Sequence, residues 1–408
     1  MNLSLFIASR YFRSKKKRNF ITILSRISMI GVAVGTMALV IVLSVFNGLE
    51  DLIRGLYASF DAELKVEAAI GKSFTVTDDW LDEISRTEGV EVLTEVIEDN
   101  ALFGYRGVQK VAKLKGVSDN FLDQGRFEEG YFRGDLSLGT ETQPEAILGM
   151  GVASVLRVDL DNEMEFLTVF YPRAAARAGS IDPRQLYNQN IIRPVGYFSI
   201  EKQFDDEYVI APLSFVRDLL EYGDRRTALE IKVADGYRIW DVKRRLRNHL
   251  GDGFLVRDTD EQHASLLRAI QIEKLFVFIT LTFILAVASF NIFFSLSMLA
   301  IEKKKDIAVL KAMGAKDSLI KAIYLKQGAI IAFSGAAVGL LLGFLIVWLQ
   351  DSYGLVSLGV ASSIVDSYPV KMVWTDFLYT SLSVIAITLL ASYRPATIAS
   401  SVKTIDHL

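Results

Sequence analysis

The sequence EKKKDIAVLKAMGAKDSLIKAIYLK, Glu302–Lys326, separates two long apolar stretches, Leu275–Ile301 and Gln327–Gln350. Neither stretch contains a charged residue, and each exceeds the roughly 20 residues that a helix needs to cross about 30 Å of hydrocarbon. The connector between them carries seven lysines and three acids. We therefore predict two transmembrane helices joined by a short, mainly basic segment on one side of a membrane.

The connector itself has the pattern of a short amphipathic helix. Its apolar residues recur at i, i+3 and i+6, and Gly314 is placed to end the helix as a C-cap. A charged helix between two membrane spans suggests a site at which a membrane protein contacts a soluble partner. The candidate contact residues are Glu302, Lys303, Lys305, Ile307, Leu310, Met313 and Gly314.

Two further apolar stretches bring the predicted number of spans to four. Ile27–Leu49 has 23 uncharged residues and Phe377–Tyr393 has 17. Met1–Asn19 is basic and amphipathic, which is typical of a segment lying among anionic headgroups. Since no clear small-residue cleavage site follows, we interpret the first span as a retained signal anchor.

The region between the first and second spans has a different composition. Residues 50–272 hold 27 Lys and Arg against 40 Asp and Glu, whereas the rest of the chain holds 18 against 8. Strand-like and helix-like patterns are mixed over residues 61–258, and a capping box at Thr259–Gln262 precedes a helical pattern that runs on without a breaker. The predicted fold class is an α-helical membrane protein with four transmembrane helices and a large α+β periplasmic domain inserted between helices 1 and 2.

The short segments that flank the spans predict the orientation of the chain. The first 26 residues and the connector hold seven Lys and Arg each, while the short loop on the opposite side holds only Lys371. Because positive charge is retained in the cytoplasm, both termini and the connector are predicted to be cytoplasmic. The predicted boundaries are a cytoplasmic N-terminal segment 1–26, spans 27–49, 273–301, 327–350 and 377–393, a periplasmic domain with helical stalks 50–272, a coupling region 302–326, a periplasmic loop 351–376 and a cytoplasmic tail 394–408.

Glycines spaced by four residues predict where the spans pack closely. Such spacing removes side chains from one face and lets another helix approach. The first span contains one such pair and the third contains two steps in register. The predicted helix-packing residues are Gly31, Gly35, Gly335, Gly339 and Gly343.

The chain has little of the chemistry expected of an enzyme. Its three histidines lack metal-ligand spacing, it has no cysteine, and no GxSxG occurs. Gly71-Lys72-Ser73 ends like a phosphate-binding loop, but Val66 occupies the place of the required first glycine. We therefore predict no catalytic site, metal, bound cofactor or nucleic-acid partner, and expect the energy for any transport to come from a partner protein.

Two stretches resemble a known family. The sequence FIASRYFRSKKKRNFITILSRISMIGVAVGTMALVIVLSVFNGLED, Phe6–Asp51, closely resembles the lipoprotein-releasing LolC/LolE permeases of bacterial ABC transporters. Ile301–Phe344 resembles the wider MacB/FtsX permease superfamily, in which the connector is the coupling helix that docks on the ATPase. Arg26 departs from the pattern, since the family typically has an aromatic residue there.

The resemblance implies a transport function and a set of partners. The chain would be an inner-membrane permease subunit that passes lipoproteins to a periplasmic chaperone of the LolA type. A separate LolD-like ATPase and a second permease subunit would complete the machine within the membrane lipids. Whether the chain is LolC-like, LolE-like or serves both roles stays open, as do an FtsX-like signalling role and a MacB-like efflux role.

Two sets of residues are candidates for contact with the cargo and the chaperone. The first two spans are predicted to continue into stalks, so we place the acyl-chain surface on them, at Met37, Ile41, Val45, Phe46, Phe276, Ile279 and Phe283. Residues 172–193 stand where one family member carries a chaperone-gripping hook, although the sequence does not match that hook closely. The candidate contacts there are Arg173, Arg177, Ile181, Arg184, Leu186, Tyr187 and Arg193.

Overall fold

The computed structural model describes residues 3–13, 20–126, 131–162, 164–173, 186–357 and 367–401. These residues belong to two compact units, one of Met1–Leu52 with Leu266–Leu408 and the other of Ile53–Ser265. The helices are α1 (Leu3–Arg13), α2 (Phe20–Ala58), α3 (Asp78–Ser85), α4 (Met150–Leu156), α5 (Lys202–Glu207), α6 (Leu213–Leu220), α7 (Ile239–Leu250), α8 (Thr259–Gln262), α9 (Ala264–Glu302), α10 (Lys304–Ala312), α11 (Asp317–Tyr353) and α12 (Trp374–Ser400). The strands are β1 (Leu64–Ala68), β2 (Phe74–Thr75), β3 (Val90–Tyr105), β4 (Val108–Val117), β5 (Tyr131–Gly134), β6 (Glu145–Gly149), β7 (Leu167–Pro172), β8 (Tyr187–Ser199), β9 (Tyr208–Pro212), β10 (Arg225–Arg226), β11 (Ala228–Val233) and β12 (Phe254–Asp258).

The first unit is helical. Within the described residues, four helices are long and apolar enough to cross a membrane: Ile23–Ala58, Ala264–Glu302, Asp317–Tyr353 and Trp374–Ser400. Each helix extends beyond the apolar stretch that predicts it, because backbone hydrogen bonding continues through flanking polar residues. The predicted continuation of the first and second spans beyond their apolar stretches agrees with the bounds of α2 and α9.

The N-terminal helix α1 has two different faces. Leu3, Leu5 and Phe6 are exposed, whereas Ile7 and Tyr11, predicted on the same apolar face as Leu3 and Phe6, pack against the helical unit. On the other side Ala8 is buried in a cluster with residues of α9, α10, α11 and α12. Ser4 accepts a 2.7 Å hydrogen bond from Nζ of Lys326 on α11. The helix is therefore part of the helical unit as well as a source of exposed apolar surface.

The second unit is an α/β domain built on a mixed sheet. Among the described residues the strand order is β12-β1-β11-β3-β4-β9-β6-β8-β5, and β7 pairs with β3 and β8. The pairs β4–β9 and β6–β8 are parallel, and the other pairs in this sheet are antiparallel. Helices α4 and α6 cover part of the sheet with buried apolar side chains such as Leu156, Val216 and Leu219. Burial of these side chains is what holds the domain together in water.

A tight hairpin joins the two longest neighbouring strands. Tyr105 pairs with Val108, which leaves a two-residue turn of Arg106 and Gly107 between β3 and β4. Both turn residues have positive φ, 47° and 81°, as a type I′ turn requires. This turn fixes the register in which Phe103 and Leu114 point into the core.

The start of α9 differs from the predicted capping box. Asp258 is the N-cap of α8, and its Oδ1 accepts a 2.9 Å hydrogen bond from the Glu261 amide. The helix is interrupted at His263, whose ring stacks on Tyr57 at 3.6 Å and contacts Asp61 Oδ2 at 2.5 Å. The prediction of a helix that runs unbroken from Thr259 is therefore wrong, because contacts of His263 with residues distant in sequence favour the interruption.

Candidate functional site

The connector contains the short helix α10, which lies between α9 and α11 in the chain. Helix α10 begins at Lys304, with Lys303 between it and the last residue of α9, and Gly314 lies two residues past the last residue of α10 with φ of 95°. The amides of Gly314 and Ala315 donate to the carbonyls of Lys311 and Leu310 at 2.9 and 3.0 Å. Gly314 thus has the backbone conformation that the predicted helix end requires.

The apolar residues of the connector do not share one face. Ile307 is only 2% exposed and lies in the cluster of the helical unit, with Leu310 partly buried against the same cluster. Met313 is 71% exposed, and Val309 is also exposed. At 3.6 residues per turn, positions i and i+6 lie roughly 120° apart, so the predicted face is divided. In this conformation Ile307 is therefore unavailable to a partner, and Met313 and Val309 are available.

Charged residues surround the exposed part of the connector. Lys303 Nζ lies 3.0 Å from Asp306 Oδ2 and 5.6 Å from the centre of the Tyr11 ring. The hydrogen bond with Asp306 raises the pKa of Lys303. Glu302 and Lys305 are exposed. The connector therefore presents apolar side chains among acids and bases, as a protein-binding surface does.

The glycines with four-residue spacing lie where helices approach one another. A Cβ on Gly335 would lie 2.7 Å from the carbonyl oxygen of Met29, and one on Gly343 would lie 2.9 Å from Cβ of Val40. A Cβ on Gly339 would meet Ala33 and Thr36 in the same way. A Cβ added at Gly35 would lie 2.7 Å from Cδ1 of Leu285 on α9, and one added at Gly31 would lie 3.7 Å from Cβ of Ala288. Helix α2 therefore packs against both α9 and α11, with the closest approach to α11.

The predicted acyl-chain residues occupy different environments on the two helices. Met37, Ile41, Val45 and Phe46 on α2 are half-buried. On α9 the predicted residues are well exposed, at 65% for Phe276, 54% for Ile279 and 68% for Phe283. They belong to a larger exposed apolar set on this helix, which is Leu266, Ile272, Leu275, Phe276, Ile279, Phe283, Ile284, Val287, Phe290, Phe294, Met298 and Ile301. In this chain α9 therefore has a long apolar surface free to meet lipid, cargo or another subunit.

A polar cluster at one end of the helical unit is absent from the sequence predictions. Lys274 Nζ lies 2.6 Å from Asn47 Oδ1 and 3.1 Å from Asp376 Oδ2. Asn47 Nδ2 donates to the same Asp376 oxygen at 2.7 Å. This cluster ties α2, α9 and α12 together with both Asn47 and Asp376 buried. The sequence signal that could have identified this cluster is the presence of a polar residue at the same end of three predicted spans.

The predicted chaperone loop is shorter than its sequence suggests. Strands β7 and β8 pair as far as Pro172 with Tyr187, so Tyr187 and Arg193 lie in a strand. Arg173 Nε donates to Asn188 Oδ1 at 2.8 Å, and Leu186 is exposed. The remaining predicted contacts, Arg177, Ile181 and Arg184, lie outside the described residues. The interpretation of 172–193 as one loop is thus wrong for its second part, because alternate residues of Asn190–Pro194 pack as strand residues on the sheet.

Comparison with known proteins places both units in one kind of permease. Residues 25–249 match the MacB-like periplasmic core domain, and residues 278–403 match the FtsX-like permease C-terminal domain. The lipoprotein-releasing system transmembrane protein LolC of Neisseria meningitidis is 29% identical over 85% of this chain and 82% of its own length. The corresponding LolE of Haemophilus influenzae is 23% identical over 99% of this chain and 98% of its own length.

Solved structures are also similar to part of the chain. The periplasmic region of MacB from Actinobacillus actinomycetemcomitans has a TM-score of 0.35 and 12% identity, covering 52% of this chain and 94% of that chain. The match to the MacB-like domain includes more than half of this chain, and the match to the LolE relative includes nearly all of it. The chain belongs to the permeases that carry a MacB-like periplasmic core domain, and it is similar to LolC and LolE proteins over most of its length.

Proposed function

We propose that this chain is the permease subunit of an ABC transporter that extracts lipoproteins from the outer leaflet of the inner membrane and passes them to a periplasmic chaperone. The observation that carries the proposal is similarity over nearly the whole chain to proteins named as components of lipoprotein-releasing systems. The exposed apolar surface of α9 supports it, because an acyl chain leaving lipid needs another apolar surface to contact. Each buried CH₂ contributes about 0.8 kcal/mol, so a triacylated protein does not leave the bilayer unaided.

The proposed topology follows the distribution of charge. The α/β domain is inserted between the first and second spans and lies in the periplasm, while the connector and both termini lie in the cytoplasm. The chain lacks cysteine, so single cysteines report the side of the membrane cleanly. In intact spheroplasts, a membrane-impermeant thiol reagent should label Thr142→Cys and leave Ser318→Cys unlabelled. The reverse labelling pattern would refute this orientation.

The proposed energy source is a separate ATPase that docks on the connector. We assign the contact to Val309 and Met313, with Lys305 and Glu302 beside them, because these side chains are exposed. Ile307 and Leu310 act instead by fixing α10 against the helical unit. Of the three apolar contacts predicted from the spacing, this assignment keeps Met313, adds Val309, and removes Ile307 and Leu310.

Purification of the full chain from its own membranes tests the docking surface. Met313→Asp should reduce the ATPase that co-purifies with the chain, since burial of one such side chain contributes roughly 1.5–3 kcal/mol. Ser318→Asp is the matched control, because it adds the same charge at an exposed position of α11. Full retention of the ATPase by Met313→Asp, or equal loss in both variants, would reject the docking surface.

The same purification tests the cargo. Mass spectrometry of the purified complex should find acylated lipoproteins and a second permease subunit, which is either another copy of this chain or a relative. Recovery of cell-wall hydrolases in place of lipoproteins would favour an FtsX-like regulatory role and would contradict lipoprotein release.

A further inference from the structure

The helical unit has a second apolar feature, which is a groove between α9 and α12. Its volume is about 370 Å³, and its lining includes Phe290 and Phe293 from α9 and Ile387, Leu390 and Ala391 from α12. Arg394 lines the same groove. Phe290 and Leu390 are both well exposed within the chain, so the groove opens to the outside of the helical unit. It is therefore an apolar surface that carries one cation.

Arg394 lies about one hydrocarbon thickness along α12 from the polar cluster at the other end of that helix. Arg394 lies 18 residues beyond Asp376 on the same helix, which is about 27 Å along the axis at 1.5 Å per residue. Asp376 belongs to the polar cluster with Lys274 and Asn47. These two polar levels are thus separated by approximately the 30 Å thickness of the hydrocarbon core. The apolar lining of the groove falls between them.

Among the residues that the structure describes, none forms an ion pair with the guanidinium of Arg394. Lys321 adds positive potential close by, with its Nζ 4.1 Å from the centre of the ring of Tyr393. Tyr393 itself is exposed, as aromatic residues at a membrane interface commonly are. The groove therefore ends in a cationic and aromatic rim that would attract an anion.

We propose that the groove binds one anionic phospholipid, with an acyl chain along Phe290 and Leu390 and the phosphate on the guanidinium of Arg394. A guanidinium can form two parallel hydrogen bonds with phosphate oxygens. A zwitterionic lipid offers the same phosphate but carries a headgroup cation that repels Arg394, whereas an anionic phospholipid has a net negative charge that attracts it. A second protein helix in this groove would leave Arg394 without an anion unless it supplied one. The proposal rests on the helical unit lying in a membrane and is independent of the cargo.

Lipid retention by the full chain tests the site. The chain is reconstituted in nanodiscs of equal parts phosphatidylglycerol and phosphatidylcholine, then re-extracted in detergent, and the retained lipids are quantified by mass spectrometry. We expect phosphatidylglycerol to be enriched about fivefold, the effect of one basic residue near a charged surface. Arg394→Gln should reduce the enrichment to the bulk ratio. Arg268→Gln is the control, since it removes an exposed arginine near the start of α9.

Two further variants distinguish a lipid held in the groove from general surface charge and from a second copy of the chain. Ala391→Phe fills the groove without removing Arg394, so it should also reduce the retained phosphatidylglycerol. If Ala391→Phe keeps full enrichment, or if Arg268→Gln loses as much as Arg394→Gln, only general surface charge acts and the site is refuted. Leu390→Cys introduces the single thiol of the chain, and efficient disulfide-linked dimers through it would show that a second copy covers the groove instead.

Discussion

The two units of this chain bury opposite kinds of residues at their centres. In the α/β unit, Glu230 lies between Lys115 at 2.8 Å and Arg126 at 2.7 Å, and all three side chains are almost fully buried. In the helical unit, the central contact between α2 and α11 consists of glycines against backbone and small side chains. The α/β unit therefore keeps ions inside an apolar core, whereas the helical unit omits side chains where α11 meets α2.

The solvent around each unit explains the difference. In water, apolar burial drives folding, and a domain with a large core tolerates a buried ion group whose charges compensate one another. In lipid, burying an apolar side chain gains little, so helices associate through close packing and through polar contacts. We therefore expect charge removal to have its largest effect in the α/β unit, and added volume to have its largest effect in the helical unit.

Glu230→Gln should give the largest loss of stability. It keeps the shape of the side chain but leaves Lys115 and Arg126 buried without a counter-charge, which costs about 3–5 kcal/mol. Hydrogen exchange of the β4 and β11 amides in the full chain measures this loss of stability directly. We expect protection to fall by about two to nearly four powers of ten.

Glu91→Gln is the control for that substitution. Glu91 pairs with Lys232 at 3.1 Å, but its side chain is 41% exposed, so the loss should be about 0–1 kcal/mol. Equal effects of the two substitutions would contradict a central role for the buried ions.

The same group predicts a pH dependence of stability. Burial alone would raise the pKa of Glu230, but Lys115 and Arg126 more than offset burial and lower that pKa from 4.5 to about 2. Because the folded pKa is below the unfolded value, the stabilisation is complete above 4.5 and is lost as the pH falls towards 2. Protection of the β11 amides should decline across this window in the native chain and decline less in Glu230→Gln. A decline of the same size in both proteins would assign the acid sensitivity to other groups.

Gly339→Ala should give the next largest effect, this time in the helical unit. The added methyl group meets Ala33 and Thr36 of α2, and overpacking of this kind costs about 1–3 kcal/mol. Gly55→Ala is the control, because no atom lies within 4 Å of its added Cβ. That control should be stabilising by roughly 0.5–1 kcal/mol, since alanine favours a helix interior. The unfolding temperature of each variant is measured in detergent. If Gly339→Ala does not lower it, the close packing of α2 on α11 is contradicted.

Asp376→Asn should give the smallest of these effects. It keeps the side-chain shape and replaces charged hydrogen bonds to Lys274 and Asn47 with neutral ones, a difference of about 1 kcal/mol. Asp51→Asn breaks the exposed pair with Lys371 and should change stability by less. If the two variants unfold at the same temperature, the buried cluster contributes no more than a surface pair.

The sequence predicts the elements of both units well and their assembly poorly. The four predicted apolar stretches lie within α2, α9, α11 and α12, and the mixed pattern over residues 61–258 corresponds to the strands and helices of the α/β unit. Alternation and helical spacing are local properties, so such elements are accessible from sequence. The strand order, with β9 between β4 and β6, depends on contacts between distant residues and has no local signal.

The candidate surfaces show the same division. Helical spacing identifies Ile307 and Met313 as apolar positions of one helix, but only tertiary packing decides that Ile307 turns inward and Met313 outward. The cluster of Asn47, Lys274 and Asp376 is invisible in sequence because its members are separated by more than 100 residues. By contrast, the four-residue glycine spacing is a local signal, and these glycines lie at helix contacts.

ATP-dependent release of a lipoprotein from proteoliposomes tests the central proposal most directly. The complex purified with this chain is reconstituted with a triacylated lipoprotein, and soluble chaperone is added outside. We predict that lipoprotein moves to the chaperone in the soluble fraction with ATP, remains in the vesicles without ATP, and remains there when Met313→Asp has removed the ATPase. ATP hydrolysis by an intact complex with no transfer of lipoprotein would contradict the proposed function.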